Sequence, residues 1–202
     1  LKLARVIGSL DINGKGTSHP IASVGPFLLM DEVCGPPKIE LPFGKHPHVG
    51  LVANTCPMPG VGMSESMLWD NKQGVYGPLE DGGLFQIYAG KGIVHDEGRS
   101  SDSAVQRADF QQGCQVWFHP GAGSTTGEPE THLFKPNEIP SVALEQDSSA
   151  RVLLGTFKEV ESPAHIYNAQ LMLIHVLGPG CHRFSAPTCG LGDLCPPTHS
   201  RQ

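Results

Sequence analysis

The chain has 202 residues, enough for one comfortable domain or two small ones. Its 25 Gly and 18 Pro, set against 17% charged and 6% aromatic residues, suit short strands joined by many turns and exclude coiled coil and collagen. A net charge of −6 with no Lys/Arg run gives no footprint for direct nucleic-acid binding, and no apolar stretch approaches the ~20 residues of a membrane span.

At 39% hydrophobic the chain can bury a core. Cys34, Cys56, Cys114, Cys181, Cys189 and Cys195 form no C-x-x-C pair, and there is no N-x-S/T sequon. Both observations favour a reducing compartment, cytoplasmic or nuclear. Cys181, Cys189 and Cys195 read as free thiols in a poorly specified tail. The chain opens on Leu1 without an apolar signal region, so its first residue is not expected to be the natural start.

In chain order, residues 24–31 read as a buried strand ending in the carboxylate of Asp31, broken after Gly35-Pro36-Pro37. Residues 41–97 show no 3.6-residue period, and short apolar pieces punctuated by Gly and Pro predict short strands and tight turns. A polar loop over 98–108 leads to a strand over 113–118. Residues 120–140, rich in Gly, Thr, Glu and Pro, read as a connector. A second strand-rich region follows at 141–144, 150–157 and 165–177, with no fixed-period repeat.

Two short motifs carry chemistry. His46-Pro47-His48 and His95-Asp96-Glu97 each place two metal-capable side chains at i and i+2, which in a strand project from one face. Three imidazoles and a carboxylate without thiolate suit Fe, Mn, Co, Ni, Cu or Zn and leave open positions on an octahedral ion. Pro47 cannot donate to a ladder, which places the first pair on a sheet edge or at a strand start. A lone H-x-H is more often a core or surface histidine than a ligand, and spacing alone leaves the two readings balanced. His119, His132, His165, His175, His182 and His199 have no partner at ligand spacing and read as structural or surface residues. Asp31 and Asp70 read as turn or strand-end carboxylates, and Trp69 and Trp117 as fillers of the core.

Pro26-Phe27-Leu28-Leu29-Met30-Asp31, Phe43-Gly44-Lys45-His46-Pro47-His48-Val49-Gly50 and Ala89-Gly90-Lys91-Gly92-Ile93-Val94-His95-Asp96-Glu97 resemble successive signatures of the pirin family. Gln115-Val116-Trp117, Glu128-Pro129 and Ile139-Pro140 follow in the same order, and the resemblance covers roughly residues 1–180. Pirins are bicupins, two jelly-roll β-barrels of the cupin type with one mononuclear iron in the first. The resemblance implies an all-β fold and the ligands His46, His48, His95 and Glu97, with Fe(II) as the metal ahead of Ni, Mn, Co, Cu or Zn.

It implies an N-terminal metal-binding cupin domain over 1–120, a connector over 121–140, a partial C-terminal cupin domain over 141–190 and an unassigned tail over 191–202. After Ser141 only 61 residues follow, against on the order of 100 for a domain. A truncated, altered or disordered end is therefore expected. Pirins usually continue H-P-H-R-G-F-E-T, with an Arg and a Glu near the metal, where this chain has Val49 and Val52. That exchange is expected to remove outer support for the ligands.

Three functions follow from the resemblance. One is a flavonol (quercetin) 2,3-dioxygenase acting on a small flavonol-like molecule, with Glu97 as general base. A second is a non-catalytic, iron-dependent, redox-sensing cofactor of a transcription factor. The third is a degenerate member without activity.

Overall fold

The computed structural model describes residues 2–7, 24–35, 44–59, 66–97, 111–178 and 181–185. Among them the architecture is all-β, with a single short 3₁₀ turn at Pro136–Glu138 and no α-helix. The strands are β1 (Lys2–Ile7), β2 (Phe27–Gly35), β3 (His46–His48), β4 (Val52–Pro57), β5 (Ser66–Asp70), β6 (Gly74–Leu79), β7 (Leu84–Tyr88) and β8 (Ile93–Asp96). After these come β9 (Gln111–Phe118), β10 (Glu130–Phe134), β11 (Ser141–Ala143), β12 (Ser149–Leu154), β13 (Thr156–Phe157), β14 (Val160–Glu161), β15 (Leu173–Gly178) and β16 (Cys181–Ser185).

A six-stranded sheet in the order β1-β2-β9-β4-β7-β10 faces a four-stranded sheet in the order β3-β8-β5-β6. A second four-stranded sheet runs β11-β12-β15-β16, with β13 and β14 as a separate hairpin. These are fewer strands than a closed barrel, so among the described residues the second unit is a partial one. Residues 130–134, inside the expected connector, form β10 and pair with β7 from Glu130↔Tyr88 to Phe134↔Leu84, giving the first sheet its far edge.

Asp31 lies inside β2, opposite Gln115, and not at a strand end as the sequence suggests, because β2 runs on to Gly35 before Pro36-Pro37 removes two ladder donors. The strand expected over 165–177 begins only at Leu173. Residues before it instead bond to the first unit: His165 N–H donates to Gln86 Oε1 at 3.0 Å and Asn168 N–H to the carbonyl of Pro120 at 2.9 Å. Those partners compete successfully with a ladder for the same backbone groups.

The middle of the six-stranded sheet, at β4 and β7, is buried on both faces. Strand alternation sends Ala53, Phe85 and Ile87 toward Leu68, Leu79 and Ile93 of the opposing sheet. It sends Val52, Cys56, Leu84, Tyr88, Cys114, Val116 and Phe118 toward Leu153, Leu154 and Leu173 of the second unit. Burying side chains of this kind contributes ~1.5–3 kcal/mol each, so the two units are joined by one shared core. Every position of β4 and β7 is consequently buried, which explains their lack of polar alternation. Two polar side chains in this core pair with each other and with backbone: Gln86 Nε2 donates to Asn54 Oδ1 at 2.9 Å and to the His165 carbonyl at 3.0 Å, and Asn54 Nδ2 donates to the carbonyl of Val116 at 3.2 Å.

Candidate metal centre

The site is built where β3 meets β8. These strands pair antiparallel with His46 opposite His95 and His48 opposite Ile93. His46 and His48 project from one face of β3, and the register brings His95 against both, its ring centroid 4.4 Å from that of His46 and 4.9 Å from that of His48. Pro47 sits on this strand at the edge of its sheet, where its missing N–H breaks no ladder.

The turn before β8 is fixed by the glycine motif. Gly90 has φ +47°, and a Cβ there would lie 2.1 Å from the carbonyl oxygen of Gly127, so this position requires glycine. Around it, Gly50 N–H donates to the Gly90 carbonyl, Lys91 N–H to the Gly127 carbonyl and Gly92 N–H to the Ala89 carbonyl, at 2.8–2.9 Å. On the other side, Asn71 exchanges two bonds with the backbone of Val94, both 3.0 Å. Asp70 is a turn carboxylate, accepting from the N–H groups of Lys72 and Gln73 at 2.7 Å each.

One nitrogen of each imidazole lies within 4.8 Å of the others. His46 Nδ1–H donates to the Gly44 carbonyl at 2.7 Å, the tautomer of the neutral ring that puts the lone pair on Nε2, 3.1 Å from His95 Nε2. An ion with bonds near ~2.1 Å places neighbouring donors ~3 Å apart, so this spacing accommodates one. Buried His48 Nε2 has no hydrogen-bond partner among the described residues, the condition expected of a nitrogen that needs a ligand. Burial, reinforced by the neighbouring imidazoles, holds His48 down to about 4 and His95 to about 3. Both rings are therefore neutral near pH 7, with lone pairs available for a metal.

Glu97 follows directly on β8 and is 9% exposed. It is not among the donors grouped within 4.8 Å. Its Oε1 accepts hydrogen bonds from Thr55 Oγ1 at 2.7 Å and Gln115 Nε2 at 3.1 Å. Burial raises its pKa, against the lowering effects of Thr55, His46 and Gln115.

Two expectations change here. Val52 faces the shared core with Cys56, on the side of the sheet away from Glu97's partners, so it belongs to hydrophobic packing and not to the surroundings of the ligands. Trp117 is more than a core filler: its ring stands edge-on to His48 at 4.8 Å. Trp69 is covered by Lys45, whose Nζ is 3.7 Å from its ring centroid. Thr55 was absent from the sequence reading, and Gln115 appeared only as part of a family signature. Alternation along 113–118, which puts Gln115 and Trp117 on one face, is the signal that would have found the second. Elsewhere, His132 and His165 lie ring to ring at 4.9 Å and His119 Nδ1 accepts from Gly121 N–H, as structural histidines do. His199, Cys189 and Cys195 lie outside the described residues.

No family model matches the chain. A pirin-like protein of Arabidopsis thaliana is 30% identical over 165 residues, covering 80% of this chain and 49% of that protein. Pirin of Homo sapiens is 28% identical over 160 residues, covering 79% of this chain and 51% of that one. The chain thus spans about half the length of the curated relatives it matches. A crystal structure of quercetin 2,3-dioxygenase from Acinetobacter baumannii matches with a TM-score of 0.63 at 24% identity, over 75% of this chain and 52% of that one, a likeness of fold. With the ordered motifs, the all-β architecture and the converging imidazoles, these likenesses assign the chain to the pirin family of cupin proteins.

Proposed function

We propose that the chain is a mononuclear metal-binding pirin in which His46, His48, His95 and Glu97 hold Fe(II), or another of Ni, Mn, Co, Cu and Zn, and that it acts as a flavonol 2,3-dioxygenase. The observation that carries the reading is the convergence of three imidazole nitrogens within 4.8 Å, two of the rings neutral near pH 7. In this reading residues 1–120 are the metal-binding cupin domain, 121–140 a connector that lends β10 to its sheet, and 141–190 a partial second cupin domain.

When bound, an ion of this class would supply Lewis acidity toward a flavonol hydroxyl, and a redox-active one such as Fe(II) would also supply electrons for dioxygen chemistry. The protein's own part is to hold and orient. Gly44 fixes the His46 tautomer, Trp117 buttresses His48, and Glu97 is the carboxylate placed to take the proton of an acidic substrate hydroxyl. Phe85, with its ring 6.4 Å from that of His95, helps to keep water from the inner side of the site.

A second reading rests on Val49, which is 67% exposed beside His48 where pirins usually carry Arg. Loss of that charge weighs against turnover, and the chain would then serve as a non-catalytic metal-dependent binding module for a protein partner such as a transcription factor, or be a degenerate member without activity. Elemental analysis coupled to quercetin turnover separates the two. Iron with flavonol depletion, O₂ uptake and CO release supports the dioxygenase, metal without turnover supports the module, and absence of metal after loading with Fe(II) overturns both.

A further inference from the structure

Glu97 is held in a way that the ligand motif alone does not reveal. Thr55 on β4 and Gln115 on β9 are direct cross-strand partners, and both donate to one oxygen, Oε1. Their chain neighbours Asn54, Cys56, Cys114 and Val116 point to the opposite face. This single rung of the ladder therefore faces the metal centre and ends on its carboxylate.

Two neutral donors on Oε1 occupy the lone-pair directions of that atom and leave the second oxygen as the acceptor open to an ion. They also fix the carboxylate plane, since rotation about the terminal torsion would break both bonds together. The charged residues that pirins usually place nearby are Val49 and Val52 here, one exposed and the other in the far core. Among the described residues, the Thr55–Gln115 rung is the hydrogen-bonded support of the Glu97 carboxylate.

We propose that Thr55 and Gln115 are positioning residues for Glu97, anchoring Oε1 so that the carboxylate approaches the metal held by His46, His48 and His95 through its other oxygen alone. The proposal rests on the reading of that cluster as a metal site. Loss of such outer partners typically costs ~10–100-fold in metal affinity.

The test is Co(II) affinity of the full 202-residue chain, by competition with a chromophoric chelator, together with the visible d–d spectrum of the Co(II) form. Thr55→Val, which keeps shape and removes the hydroxyl, and Gln115→Met are each expected to weaken Co(II) ~10–100-fold and to alter the spectrum, whereas Thr55→Ser retains wild-type values. In a Glu97→Gln background, Thr55→Val should add less than ~2-fold, because its effect passes through the carboxylate. Should Thr55→Val fail to fold, Gln115→Met and Thr55→Ser carry the same comparison.

Wild-type affinity in both single variants, or an undiminished Thr55→Val effect in the Glu97→Gln background, overturns the proposal while leaving the metal site intact. Wild-type protein that takes up no Co(II), or a His46→Ala variant that binds it unchanged, overturns the metal site itself and the proposal with it.

Discussion

His46, His48 and His95 share a chemistry but not an environment. His46 is half-buried and tied to the Gly44 carbonyl, while His95 is fully enclosed and His48 nearly so. His46→Ala therefore isolates the ligand role. It is expected to abolish metal stoichiometry measured by elemental analysis while changing metal-free stability by ~1–2 kcal/mol, since the hydrogen bonds to the Gly44 carbonyl and to His95 Nε2 are lost at a half-buried position. The donor types and their i, i+2 spacing were legible in the sequence because a strand repeats every two residues whatever surrounds it. That Glu97 is gripped by Thr55 and Gln115 was not, because those residues lie far from it in the chain and become its neighbours only when β4 pairs with β9.

Turns and strands test the frame at the next scale. Gly90 combines a positive φ with a backbone oxygen 2.1 Å from where a Cβ would stand, whereas Gly74, at φ +79°, meets nothing within 4 Å. Gly74→Ala should cost only the conformational strain, ~1–2 kcal/mol, and Gly90→Ala that strain plus the clash, ~3 kcal/mol or more. Urea denaturation of the two variants checks the ranking. Gln86 is a second pivot, bonding the N–H and the carbonyl of His165 and thereby tying the second unit to β7. Gln86→Leu keeps bulk but strands those groups and Asn54. A loss of ~2–4 kcal/mol in a denaturant titration is expected. Gly90 announced itself in a glycine-rich motif, but Gln86 carried no local signal, since a buried glutamine in a strand is defined by the chain that docks on it.

Over the whole molecule, proton and metal act on one equilibrium. His48 and His95 are held below the ordinary 6.5, at about 4 and about 3, so between those values the unfolded chain binds more protons than the folded one. The stability contributed by the neutral rings is complete above pH 6.5 and is lost as pH falls through about 4 and then about 3. Glu97, with its pKa raised above 4.5, acts in the opposite sense, its contribution being lost as pH rises from 4.5 upward. Two histidines against one carboxyl leave a net fall on acidification from pH 6.5. The urea midpoint of metal-free protein should drop from pH 7 to pH 5, and the drop should shrink in His48→Leu. A bound metal stabilises the folded state by mass action, so chelation should lower the thermal midpoint of wild-type protein and leave that of His46→Ala unmoved.

Composition and turn residues by themselves determined that this is a strand-rich protein, and the motif spacing singled out which side chains are candidate donors, because both depend on geometry within a few residues of chain. Tertiary structure decided which face each side chain serves. Val52 goes to the shared core and Thr55 to Glu97 on the face of the imidazoles, although both lie on β4, because the sheet is covered on one side by the second unit and on the other by β3, β8, β5 and β6. Strand alternation fixes only that neighbours point to opposite sides. Which side holds the imidazoles is settled by non-local pairing.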